Sequence, residues 1–173
     1  VRIAIAIAVL ATVSPAQAQV ARFPSNVGQV PASSEARRAG PASKQDVYRR
    51  FDDGSTPLQW AVYRGDAAEA KRLLRAGANL KLANNYGVTA MTLAAEVADT
   101  EMLKVLLEAG ADADSPNPEG QTALHAVART GNIDAAQVLL KAGATVDAKE
   151  KWGGQTPLMW ASARRHPAMM ELL

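Results

Sequence analysis

The side chains able to carry chemistry are few. Cysteine is absent and histidine occurs only at His125 and His166. Without cysteine there is no thiolate catalysis, no disulfide, no c-type haem attachment and no Cys-based zinc site. Two histidines are too few for a His-based metal cluster. The serines, aspartates and glutamates are scattered, with no base spaced to activate a nucleophile. Asp112 and Asp114 fall in a short hairpin rather than in a calcium-binding loop. No Gly-rich turn between a strand and a helix is present to cradle a phosphate. The residues therefore predict no catalytic group, no cofactor and no metal. His125 stands three residues after Thr122, at a helix start. His166 sits beside Pro167 at a helix boundary and reads as a solvated turn residue.

The elements that hold these residues must be built from an ordinary globular composition. The chain has 173 residues, 48% of them hydrophobic, which suits one domain or a short repeat array with a buried core. Nineteen basic and seventeen acidic side chains leave a net charge of +2. That balance lacks the clustered basic excess of a nucleic-acid footprint, so no nucleic-acid partner is expected.

Three segments precede the repetitive part. Residues 3–13 read IAIAIAVLATV, with Arg2 in front and Ala16-Gln17-Ala18 behind. A positive start, a short apolar run and a small-x-small motif make a cleavable secretory signal over 1–18. Cleavage between Ala18 and Gln19 leaves a mature net charge of +1. The apolar run is too short to span a bilayer, so no stable membrane anchor is expected after cleavage. Export to a periplasm or to the medium suits a chain that needs no oxidative folding. Residues 19–43, with Pro24, Pro31, Pro41 and several serines, read as a disordered linker. Over 44–52, Val47, Tyr48 and Phe51 share a helical face behind Ser43 as N-cap, which predicts a short helix covering the end of the next unit.

The remainder repeats. Thr56-Pro57-Leu58-Gln59-Trp60-Ala61 returns at Thr89, Thr122 and Thr156, at spacings of 33, 33 and 34 residues. Leu73-Leu74-Arg75-Ala76-Gly77-Ala78 returns at Leu106 and Leu139, and a glycine stands two before each threonine, at Gly54, Gly87, Gly120 and Gly154. Three markers in register at this period resemble the ankyrin repeat over residues 53–173. The resemblance implies an all-α solenoid of helix-turn-helix repeats joined by short β-hairpin loops, with repeats at 53–85, 86–118, 119–152 and an incomplete 153–173. The Thr-Pro-Leu-Met-Trp-Ala form of the fourth is similar to exported ankyrin proteins of bacteria.

Each marker has a physical role. The threonine caps orphan N–H groups at a helix start, and proline follows where no N–H is required. Gly65 and Gly131 end the first helix in a left-handed turn. Ala98 and Arg165 replace that glycine, so their turns are expected to be strained by about 1 kcal/mol each. Trp60 and Trp160, inside the motif, are expected in the core. In repeat one Glu69 and Arg72 hold the places of Met102 and Val105, which marks a polar N-terminal edge. At the other end Met169, Met170, Leu172 and Leu173 are expected to be left apolar and uncovered. That edge implies self-association or a natural chain that continues.

The resemblance also implies partner contacts just before each threonine and at the end of each first helix. These are Asp53, Ser55, Tyr63 and Arg64 in repeat one, and Asn85, Tyr86, Val88 and Glu96 in repeat two. Repeat three supplies Glu119, Gln121, Arg129 and Thr130, and repeat four Trp152, Gln155 and Arg164. Trp152 and Tyr86 are the foremost of these, since large aromatics at finger tips dominate protein contacts. An extra residue near Gly153-Gly154 lengthens the last finger and advances Trp152. His125 is expected to bond the capping hydroxyl and a neighbouring loop. The function implied is a non-catalytic scaffold for another protein. The alternative is the docking arm of a longer protein with a catalytic or toxin domain beyond residue 173.

Overall fold

The computed structural model describes residues 47–173. The expected signal, the linker and residues 44–46 lie outside them. Eight helices form four antiparallel pairs: α1 (Pro57–Tyr63) with α2 (Ala67–Arg75), α3 (Ala90–Glu96) with α4 (Thr100–Glu108), α5 (Ala123–Thr130) with α6 (Ile133–Lys141), and α7 (Pro157–Ala163) with α8 (Pro167–Leu172). First helices stack on first helices and second on second, so the architecture is an all-α solenoid. The loops between pairs project as fingers. They close by turn hydrogen bonds such as Asn84 N to Val88 O and Asn117 N to Gln121 O, both near 3 Å, and no strand is formed among the described residues.

Local chemistry explains each start and stop. Thr56, Thr89 and Thr156 accept from the N–H three residues on, and Asp66, Asp99 and Asn132 do the same for α2, α4 and α6. Gly65 and Gly131 adopt φ of 67° and 76°. Ala98 and Arg165 adopt 52° and 58° at the equivalent turns. The strain expected at these two residues is therefore present in the backbone. Left-handed backbone disfavours an L-residue by about 1–2 kcal/mol, and the extra freedom of an unfolded glycine offsets about half of that. Ala98→Gly and Arg165→Gly should each raise stability by about 0.5–1 kcal/mol, read as a higher urea midpoint at unchanged slope.

The core runs the length of the stack, through Leu58, Leu73, Leu93, Leu103, Leu106, Leu124 and Leu139. Trp60 and Trp160 are buried, as expected from the motif. At the first edge Glu69 and Arg72 form a bidentate ion pair at 2.7 Å where later repeats bury Met102 and Val105. The segment before repeat one departs from the expected helix over 44–52. Of its described part, residues 47–52, only Val47 and Tyr48 are helical. The chain then extends so that Phe51 N can bond Ser55 O and the Phe51 ring can meet Trp60 edge-on at 5.8 Å. Val47 is buried against repeat one.

The far edge also differs from expectation. Met169 is fully buried and Leu172 half-buried, because their positions, like Met102 and Val105, look back toward the preceding repeat. The exposed residues are Leu158, Met159 at 55% exposure, and Met170. Their counterparts in repeats one to three are buried: Leu58, Met91 and Leu124; Gln59, Thr92 and His125; Ala70, Leu103 and Ala136. The uncovered surface is thus the face that each earlier repeat presents to its successor.

Candidate functional site

The finger tips and the ends of the first helices line one side of the stack, the concave side of a solenoid. The fingers are locked from within by side chains standing in for backbone. Asn84 Oδ1 accepts from Tyr86 N and Val88 N at 3.0 and 2.9 Å, and Asn117 Oδ1 accepts from Glu119 N and Gln121 N. The fourth finger has one residue more, and Glu150 replaces the asparagine. Its longer side chain reaches the N–H groups of Trp152, Gly153 and Gln155 at 2.6, 2.7 and 3.0 Å. Trp152 is held by this nest at its backbone while its side chain is 80% exposed. Glu150 escaped the sequence reading; the signal was a carboxylate at the position of Asn84 and Asn117, coinciding with the one-residue insertion.

His125 is the second anchor of this finger. Its Nδ1 accepts from Thr122 N at 3.1 Å and lies 3.0 Å from Thr122 Oγ1, while Nε2 faces Gln155 O at 3.0 Å. With an N–H directed at Nδ1, the proton belongs on Nε2, and the ring is a neutral linker between repeats three and four. Burial holds its pKa below the ordinary 6.5, against the opposing pull of the Gln155 carbonyl, the Glu150 charge and the Ala148 carbonyl. For Glu150, burial pushes the carboxyl up, but the Gln155, Trp152 and Gly153 N–H groups and His125 together bring it below its ordinary value. The signs agree. Below pH of about 6.5 the unfolded chain takes up a proton that folded His125 refuses, so stability falls from there toward the lower folded pKa. The Glu150 contribution is present above about pH 4.5 and is lost as pH falls through its depressed folded pKa. Thermal melts from pH 7.5 to 5.5 should therefore show falling midpoints, and His125→Gln should flatten that slope; an unaltered slope would show that His125 does not set it.

Most of the proposed contact residues keep their side chains available. Arg64, Asn85, Tyr86, Thr130, Trp152, Gln155 and Arg164 are exposed, and Tyr63 is exposed while meeting Trp60 edge-on. Asp53 and Glu119 are half-buried, and Asp53 accepts from Ser55 N and Oγ. Ser55, Val88 and Gln121 are corrections: all three are buried and out of a partner's reach. They precede the helix threonine on the side covered by the next repeat. Gln155, at the same position, is exposed, and no further repeat among the described residues stacks on it. Glu96 and Arg129 form a half-buried ion pair between repeats two and three. Burial raises the Glu96 pKa despite the Arg129 charge and hydrogen bond. Val97 is half exposed at the position of Arg64, Thr130 and Arg164 and belongs in the set. The register that named those three marks Val97 as well.

His166 is likewise no free turn residue. Its Nε2 lies 3.1 Å from Arg129 O, and its ring packs on Gly131, so it joins α8 to the end of α5. Asp114 accepts from Thr145 N and Oγ1 at 2.8 and 2.6 Å, tying the loops that follow the second helices of repeats two and three. Among the described residues, no cluster of His, Asp and Glu is arranged to hold a metal, and no helix is long and apolar enough to cross a membrane.

A family model described as ankyrin repeats (3 copies) matches residues 37–117 and 98–173. The chain belongs to the ankyrin-repeat family. No curated protein matches it. Ankyrin repeats generally mediate protein–protein interaction and are typically non-catalytic scaffolds. The ankyrin array thus presents its concave face as the surface on which a protein partner is to be sought.

Proposed function

We propose that this ankyrin protein is an exported, non-catalytic scaffold that grips its partner chiefly with the fourth finger. The observation that carries the reading is Trp152. A large aromatic is left in water at a finger tip whose backbone is fixed beforehand by Glu150. A rigid, exposed aromatic anchor loses little freedom on binding and is the residue type that dominates interfaces. Export rests on Arg2, the apolar run 3–13 and the Ala16-Gln17-Ala18 motif. It is tested by fusing residues 1–22 to a phosphatase that becomes active only after disulfide formation outside the cytoplasm. The fusion should be active in a bacterial host and Ile7→Lys should silence it; an inactive native fusion removes the export half of the proposal.

The exposed edge at Leu158, Met159 and Met170 favours a second reading. There the array is the docking or regulatory arm of a longer protein, or meets another copy of itself at that edge. Reading the gene beyond the Leu173 codon separates these. Further repeats and a polar cap support the scaffold, whereas a domain with paired catalytic residues supports the docking arm.

A further inference from the structure

The fourth repeat carries an arginine pair that the fold does not use. The side chains of Arg164 and Arg165 have no hydrogen-bond or ion-pair partner among the described residues, and both are exposed at the end of α7. Arg165 does this from a left-handed backbone position, φ 58°, where the equivalent residues of repeats one and three are glycine. Ala98 shows that the turn tolerates a non-glycine residue, but alanine brings only a methyl group to it. At Arg165 a long cationic side chain is held out at the expense of backbone strain, the kind of outlier that concentrates at working sites.

The same repeat brings Lys151 and Trp152 to the finger tip. The Lys151 ammonium donates to Pro118 O at 2.9 Å. Glu150, the acid next to Lys151 in the chain, is buried and its oxygens are turned inward onto the finger's N–H groups. The acids Asp52 and Asp53 stand at the opposite end of the finger row. Repeat four thus gathers exposed cations and an exposed aromatic, whereas in repeat one the exposed Arg64 is accompanied by Asp52 and Asp53.

Resting on the protein-interaction reading above, we infer that repeat four is the docking site for an acidic, extended polypeptide segment, with Arg164, Arg165 and Lys151 meeting its carboxylates and Trp152 its apolar side chain. Arginine suits this role through its planar, two-pronged pairing with carboxylate.

Selection of a library of short random peptides on the full chain tests this. Peptides rich in Asp and Glu should be enriched, and the best of them should bind Arg164→Glu/Arg165→Glu about tenfold or more weaker, with the loss shrinking as salt rises. Lys104→Glu/Lys141→Glu, on the second helices, should bind as the native chain does. Arg165→Gly separates binding from folding, because it should melt higher yet bind more weakly. Enrichment of neutral or basic peptides, or equal binding by the double variant, overturns the inference while leaving the interaction reading in place. Tighter binding of a single-stranded oligonucleotide or of anionic phospholipid vesicles than of any selected peptide also overturns it. If no peptide is enriched above background and Trp152→Ala changes nothing, the interaction reading itself falls.

Discussion

Gly87→Ala should destabilise the array by about 2–4 kcal/mol, the largest stability effect expected of any one-methyl change in it. Gly87 has φ of 74°, so an added Cβ meets the left-handed penalty of about 1–2 kcal/mol. The Cβ would also lie 2.1 Å from Cγ of Pro118 and 2.5 Å from its Cδ. A proline ring cannot swing aside as a flexible side chain can, so finger two or finger three must shift, an overpacking effect of about 1–3 kcal/mol. The smaller unfolded-state entropy of alanine returns about half a kcal/mol. The melting midpoint should fall by roughly 8–15 °C. Pro118→Ala in the same chain removes the obstructing ring and should restore part of the loss, a non-additivity expected only if the two residues collide. Gly87→Ala with native stability would mean that the fingers adjust freely and that the close approach carries no energy.

Trp152→Ala should weaken partner binding by more than about tenfold, which is about 1.4 kcal/mol or more, and leave stability within about 0.5 kcal/mol of native. Both halves follow from one fact. An indole that is 80% exposed contributes little to folding, and its apolar surface is still unburied when the partner arrives. Trp60 and Trp160, already buried, offer the contrast: their truncation should unfold the protein, by about 3–5 kcal/mol, rather than spare the fold and weaken binding. The pair of measurements, a calorimetric titration with a selected peptide and a thermal melt, separates the two kinds of tryptophan. Unchanged affinity for Trp152→Ala would remove the fourth finger as anchor.

Period and marker residues made the fold legible because each marker acts locally. A threonine caps its own helix, and a missing glycine strains its own turn, so Ala98 and Arg165 could be named from sequence alone. The site was legible at the level of which loop, not which residue. Ser55, Val88 and Gln121 sit two positions after Asp53, Tyr86 and Glu119, across a left-handed glycine, and that short turn takes the side chain from the finger surface into the core. Glu150 and His166 were missed for a different reason. Their roles are contacts made across a turn or between repeats, and spacing within one repeat does not encode them. The apolar C-terminal edge was foreseen, but its membership depended on which side of α8 looks backward, which the buried Met169 reveals.

Pro118 has one more effect. Finger one is tied to finger two by Asn85 N to Asp53 O, and finger three to finger four by Lys151 N to Glu119 O. At the middle junction the corresponding residue is a proline with no N–H to give, and the Thr92 hydroxyl is taken by its own helix start at Thr89. Among the described residues no hydrogen bond joins finger two to finger three. The row of tips is therefore two hydrogen-bonded pairs that meet by contact alone, the Pro118 ring lying against Gly87, while α3 and α5 pack behind it. At this junction shape does what hydrogen bonds do at the other two. The fit of a residue without a side chain against a ring sets the spacing of the middle tips, and with it the width of groove offered to a partner.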